Sequence, residues 1–379
     1  MVIKGPQRRP DCPLSGLSHA FRLVGWITTM SIVMGEAAGL SGCATALNQP
    51  PLAATNPTSS LQMAIREELE KPYAEFSFVN DSSPDVHAKP FFEDAYAVMA
   101  LAKVGGAENI RVSKIWADRM LDYQAKMIPA RAYYMNYYRK PGQRDGTWLT
   151  ADTSTIGLAI LNVYEASGDS RYLDSVNQYV SLVEARFINS DLGVNDGFWG
   201  SYTDSWWCST ANYGSLVLEL YRVTRDPKYL TRTIELLSWL DKEGLSGFVY
   251  PDINTSGPTI VFYVGLFVGA AEEIGIPQTK LGRDLREWLT QHPTANADVF
   301  QRFPYVSGFP VIADRLEEDS LASQQIRVSD EFVRLEFDKD SDVNWCHAVW
   351  NLYSHTELAA EGTDDLDGGR PSVTTRSKR

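Results

Sequence analysis

Asp145, Trp148 and Asp152 fall within eight residues of one another, and Asp196, Trp199, Asp204, Trp206 and Trp207 within twelve. Asp340, Asp342, Trp345 and His347 form a third group, and Glu93 with Asp94 closes another acidic run that holds Asp81, Asp85 and His87. An aromatic ring offers a flat apolar face for a sugar, and a carboxylate accepts from hydroxyls and moves protons. Hydrolysis of a glycosidic bond needs two carboxyls, about 5–5.5 Å apart for retention or roughly 6.5–9.5 Å for inversion. One of them must stay protonated in an apolar or like-charged setting. Elimination or epimerisation at a uronic acid needs instead a base such as Tyr or His, and a group that neutralises the sugar carboxylate. Tyr213, Tyr263, His347 and Arg131 are of those types. We expect Asp152 and Asp204 as the carboxylate pair, Asp145 and Asp196 in reserve, and His347 as a base. Trp148, Trp199, Trp206, Trp207, Trp345 and Tyr213 are the expected substrate-facing aromatics. The same residues have structural uses: Asp at a helix start is a natural cap, and Trp148 and Trp199 also suit plugs between helices.

These clusters precede helical segments that repeat. Thr153–Val183 matches Thr210–Leu240 at an offset of 57, pairing Gly157 with Gly214, Tyr164 with Tyr221, Asp169 with Asp226 and Tyr172-Leu173 with Tyr229-Leu230. Each copy predicts two helices. The first (155–166, 212–223) is apolar nearly all round and must be buried on every side. The second (169–184, 226–240) is one-faced, with Leu173, Val176, Val180 and Val183 at helical spacing. Asp169 and Asp226 stand at the N-cap, and Pro227 at N1, where its missing N–H is no loss. Fainter hairpins are expected over 91–104 with 107–126 and over 259–274 with 278–291, and further helices over 313–324 and 343–359. An inner buried helix followed by an outer amphipathic one, stacked repeatedly, predicts an all-α toroid of five to six hairpins over residues 61–360. In such a ring the loops ahead of the inner helices gather at one rim, beside free N–H groups and positive dipole ends.

The phrase Ser167-Gly168-Asp169-Ser170-Arg171-Tyr172-Leu173, echoed by Thr224-Arg225-Asp226-Pro227-Lys228-Tyr229-Leu230, resembles the turn of the six-hairpin glycosidase-like (α/α) toroids. That resemblance spans most of residues 90–355. It implies a carbohydrate-active enzyme, of glycosidase or polysaccharide-lyase type, with a polysaccharide or oligosaccharide as partner. A glycan-binding or scaffolding role without catalysis remains the alternative. Gln143-Arg144-Asp145-Gly146-Thr147-Trp148 and Asp196-Gly197-Phe198-Trp199 are also similar to the Gln/Trp repeats of terpenoid-cyclase toroids. The acidic diphosphate-binding motifs of those enzymes are missing from the expected domain, and a terpenoid-type toroid would hold a deep apolar cavity.

The first 42 residues read as an address. Basic residues precede an apolar run of signal-peptide length, and Leu40-Ser41-Gly42-Cys43 resembles a bacterial lipobox, which implies cleavage before Cys43 and its acylation. Ala44 at the next position fits sorting to the outer membrane, facing the periplasm. Residues 43–60 are then a Pro- and Ala-rich tether, and 361–379 a polar tail. Without the leader, Cys208 and Cys346 remain, a pair that an oxidising compartment permits to bridge or that stay buried thiols. A formal charge of −13 repels phosphate backbones and argues against nucleic acid as a partner. Only Cys346-His347 approaches a metal-ligand spacing, and no metal or cofactor is expected.

Overall fold

The computed structural model describes residues 57–70, 91–125, 131–133, 150–195, 204–245, 257–277, 279–291, 309–316, 349, 352–354, 356 and 357. The leader, Cys43, most of the tether and the tail lie outside these residues. The helices are α1 (Pro57–Glu70), α2 (Phe91–Val104), α3 (Ala107–Gln124), α4 (Thr150–Ser167) and α5 (Ser170–Arg186), then α6 (Trp207–Thr224), α7 (Pro227–Glu243), α8 (Gly257–Glu273), α9 (Lys280–Gln291) and α10 (Phe309–Arg315). Val349, Leu352–Ser354, Thr356 and Glu357 are helical as well. The first turn of α1 is built from residues assigned by composition to the tether. The helix expected over 313–324 starts earlier, at Phe309.

Sequence pattern separates two layers. α2, α4, α6 and α8 are buried almost throughout, whereas α5 and α7 bury one face only. The Asp169 and Asp226 carboxylates accept from the N–H groups of Arg171 and Lys228, capping α5 and α7 as expected. The repeated tyrosines tie the outer layer together. Tyr172 donates to Asp118 of α3 and Tyr229 to Asn177 of α5, each at 2.9 Å. The turn phrase therefore serves the fold: it starts each outer helix and fastens it to the one before.

α4 and α6 each begin about five residues earlier than their apolar cores suggest. Their first turns, Thr-Ala-Asp-Thr-Ser-Thr and Trp-Cys-Ser-Thr-Ala-Asn, are rich in residues that compete with helical backbone. Here the hydroxyls are spent inside the helix: Ser154 donates to the Thr150 carbonyl (2.6 Å) and Thr210 to that of Trp206 (2.7 Å). The Tyr179 hydroxyl of α5 adds bonds to Thr153 and to the Thr150 carbonyl. Tertiary packing has overridden local propensity.

Contacts advance in step along neighbouring inner helices, so these helices are parallel. Asn212 of α6 donates to the Ala151 carbonyl of α4 (3.2 Å), and one turn on along α6 Leu216 packs over Gly157. Phe267 of α8 lies against Gly214, where a Cβ would stand 2.4 Å from its ring, and Arg222 then reaches the Ala270 carbonyl (3.1 Å). Gly265 and Gly269 face Ile312 and Arg315 of α10 just as closely. Arg315 bonds Glu357 (2.9 Å), Glu357 pairs with Lys103 of α2, and the Tyr353 and Tyr96 rings meet edge-on at 5.4 Å. The Tyr96 hydroxyl pairs with Thr155, returning to α4. Among the described residues the ring closes through six parallel inner segments: α2, α4, α6, α8, α10 and the helical residues around Leu352.

Candidate active site

The axis of the ring is visible in the periodicity of its lining. Tyr96, Met99 and Lys103 of α2, Thr155, Leu158 and Asn162 of α4, and Asn212, Ser215 and Glu219 of α6 surround a cavity of about 50 Å³. That is room for a few waters. Tyr96 reaches across the axis, touching Phe262 of α8 (5.7 Å between rings) as well as Tyr353, and forms a floor at mid-depth. Burial, then the nearby Tyr353 and Glu93, drives its hydroxyl well above the usual phenol range, so the floor is a neutral phenol.

One turn above that floor, at i−3 or i−4 on the same helix faces, stand Glu93, Asp152, Cys208 and Ser209. Their exposures are 2%, 1%, 0% and 0%. Asp94, next to Glu93, is fully buried. The rim beside them is aromatic. Trp206 is half-buried and Trp207 buried, with ring centroids 6.0 Å apart and planes inclined by 32°. A polar bracket sets this rim in place. Asp191 accepts from Ser205 (2.5 Å), from the Trp239 indole (3.0 Å) and from the Gly193 N–H (3.1 Å). Asn195 and Ser205 form an antiparallel bridge, and the Trp206 N–H donates to the Val194 carbonyl (2.8 Å). Burial works against the Asp191 charge, but the Ser205 and Trp239 bonds prevail and hold its carboxyl below the usual range.

The opposite end is built from ion pairs. Arg315 bonds Glu357 (2.9 Å) and approaches Glu273 (3.1 Å), and Arg222 bonds Glu273 (2.8 Å) and Glu219 (3.3 Å). Lys103 completes the chain at Glu357. Burial alone would raise the Glu357 carboxyl, yet Lys103 and Arg315 hold it below its ordinary value.

Solved proteins with the same ring settle its class. A family 76 glycoside hydrolase from a bovine Bacteroides thetaiotaomicron strain superimposes with a TM-score of 0.58 at 15% identity, over 81% of this chain and 78% of that one. The chain folds as an (α/α) toroid of helical hairpins, as these proteins do. Cellobiose 2-epimerase from Bacillus thermoamylovorans B4167 matches with a TM-score of 0.56 at 9% identity, over 79% of this chain and 99% of that one. An inactive variant of the alpha-1,6-mannanase of Salegentibacter sp. HEL1_6, two consecutive aspartates replaced, is solved in complex with alpha-1,6-mannotetrose. It matches at 0.54 and 12% identity, over 79% and 99%. No protein-family model matches the sequence, and no curated protein sequence matches it either.

Within this toroid, Asp152 lies in the first turn of an inner helix, not in the loop before it. Asp204 is exposed, three residues ahead of α6. Both open adjacent inner helices, and Trp206 and Trp207 share their end of the ring. Tyr213 is a correction. Fully buried, it donates to Glu184 of α5 (2.7 Å) in the seam between the inner and outer layers, so it packs the wall and does not face a substrate. Cys208 is fully buried in the first turn of α6, and the residue expected to bridge to it, Cys346, is not among those described. Asp145, Trp148, Asp196, Trp199, Trp345, Cys346 and His347 lie outside the described residues. The small axial cavity mixes Asn, Ser, Thr and charged side chains with Tyr, Met and Leu, and so differs from the deep apolar cavity that a terpenoid-type toroid requires. Glu93 entered the sequence reading as one rim acid among many. The signal that singles it out is its three-residue spacing from Tyr96, legible only once Tyr96 is known to face the axis.

Proposed function

We propose that this protein binds a neutral oligosaccharide or polysaccharide at the end of the ring where the inner helices begin, and cleaves it by carboxylate acid–base catalysis. One observation carries the proposal. In the first two turns of α2, α4 and α6 every charged residue is acidic (Glu93, Asp94 and Asp152), and these buried acids stand beside the Trp206–Trp207 pair. Such a mouth repels the carboxylates of uronic acids and suits uncharged sugars, whose faces stack on indoles. The mannanase solved with its oligosaccharide, inactive without two of its aspartates, supports carboxylate chemistry in this kind of ring. Asp152 is one working carboxyl.

Purified protein is to be screened on neutral and uronic-acid glycans, recording new reducing ends, epimers and unsaturated products. Asp152→Asn is expected to lower turnover by about 10²–10⁴-fold, the usual worth of acid–base catalysis, with the melting temperature nearly unchanged. A variant that fails to fold makes Asp152 structural, and a wild type that binds glycans without turning them over leaves a binding protein. The leader supports a further proposal, that Cys43 anchors the chain to the outer membrane on its periplasmic side. Cys43→Ser should then release the protein from membranes and abolish incorporation of labelled fatty acid.

A further inference from the structure

We infer that Glu93, in place of Asp204, is the carboxyl that works with Asp152, an inference that rests on the mouth being a glycan-cleaving site. Helical register carries it. Tyr96, Met99 and Lys103 mark the axial face of α2, and Thr155, Leu158 and Asn162 that of α4. Glu93 stands three residues before Tyr96 and Asp152 three residues before Thr155. Tyr96 and Thr155 are themselves paired, which locks the two helices in register. Parallel helices packed about 8–10 Å apart bring side chains at matched heights together. The register therefore sets the two carboxyls at the same height on neighbouring helices, one turn above the Tyr96 floor. Asp94 is one residue further along α2, about 100° around it and off this face. Asp204 is exposed on the approach to α6 and has no place in the axial register.

The chemistry is the addition of one water across a glycosidic bond. One carboxyl delivers its proton to the departing oxygen as the C1–O bond breaks. The other takes a proton from the water whose oxygen forms the new bond at C1. No oxidant or reductant is needed. Two carboxyls at one height are suited to this division, in which one enters protonated and the other ionised.

The test uses the full chain, wild type beside Glu93→Gln, Glu93→Asp, Asp152→Asn and Asp204→Asn, on the glycan the wild type turns over. Glu93→Gln and Asp152→Asn should each lower kcat by 10²–10⁴-fold with little change in KM, and each should delete one limb of the bell-shaped pH profile. The double variant should be no worse than either single one, as for groups that act as a unit. Glu93→Asp, which keeps the carboxyl, should fold like the wild type and keep both limbs, and it decides the matter if Glu93→Gln does not fold. Asp204→Asn should raise KM and retain both limbs. Near-normal kcat in Glu93→Gln, a limb missing from Glu93→Asp, or a limb lost in Asp204→Asn overturns the assignment while leaving the glycosidase reading intact. A wild type without turnover removes that reading, and the assignment with it.

Discussion

Around the C-terminal ends of the inner helices, Lys103, Glu357, Arg315, Glu273 and Arg222 alternate in sign from one helix to the next, and Glu219 ends the chain on the same helix as Arg222. At their N-terminal ends, among the described residues, Glu93, Asp94 and Asp152 share one sign and stand among hydroxyls, a thiol and indoles. The ion pairs of the first end offset the desolvation of each charge and join helices far apart in sequence. That is the work of a closure. The second end gathers like charges that a structural purpose would have dispersed, which is what a site with a use for carboxyls looks like. One ring thus separates the charges that hold it shut from those the proposed reaction would use.

The largest test of that contrast removes a partner at the closed end. Glu357→Gln leaves Arg315, whose side chain is 9% exposed, short of a counter-charge, and breaking a buried pair in this way costs about 3–5 kcal/mol. The same kind of change at the mouth, Asp152→Asn, should leave the melting temperature nearly untouched. The effect at Glu357 has a pH signature. Because its folded-state pKa is depressed, its contribution is complete above the unfolded value of about 4.3 and is lost as pH falls through the folded one. Chemical denaturation from pH 7 down to pH 3 should show the wild type losing this stability and Glu357→Gln starting without it. Equal slopes in the two proteins would make the pair incidental.

Much of the ring was legible in the sequence, because hydrophobic period, capping and duplication are local signals. The repeat from Thr153 to Leu240 and the caps at Asp169 and Asp226 stand where those signals put them, and the repeat-equivalent Gly157 and Gly214 both prove to sit at close helix contacts. The site was less legible, for a tertiary reason. Asp152 was expected in the loop ahead of its inner helix, because the apolar pattern begins only at Thr155. Yet the Tyr179 hydroxyl and internal hydroxyl bonds extend α4, and like bonds extend α6. Tyr213 was expected in the mouth because it is aromatic and near a helix start, but rotation about α6 turns it to Glu184. Which face of an inner helix looks at the axis depends on both neighbours, and no single segment encodes it.

The smallest effect lies at the bracket beside the mouth. Asp191 is exposed, and its partners Ser205, Trp239 and Gly193 are neutral donors. Asp191→Asn keeps one acceptor oxygen and loses the charge, so solvent screening and the modest net worth of such bonds put the loss near 1 kcal/mol, well under that at Glu357. Position matters more than stability here. The bracket fixes Ser205 and, through the Val194 carbonyl, the start of α6 with Trp206. Loosening it should raise KM several-fold with kcat almost unchanged, because the indole rim shifts while Glu93 and Asp152 stay on their own helices. Kinetics and denaturation of the same preparation check both halves. If kcat falls as well, the rim and the carboxyls are one mechanical unit, and the mouth is less divided into binding and reacting parts than the ring suggests.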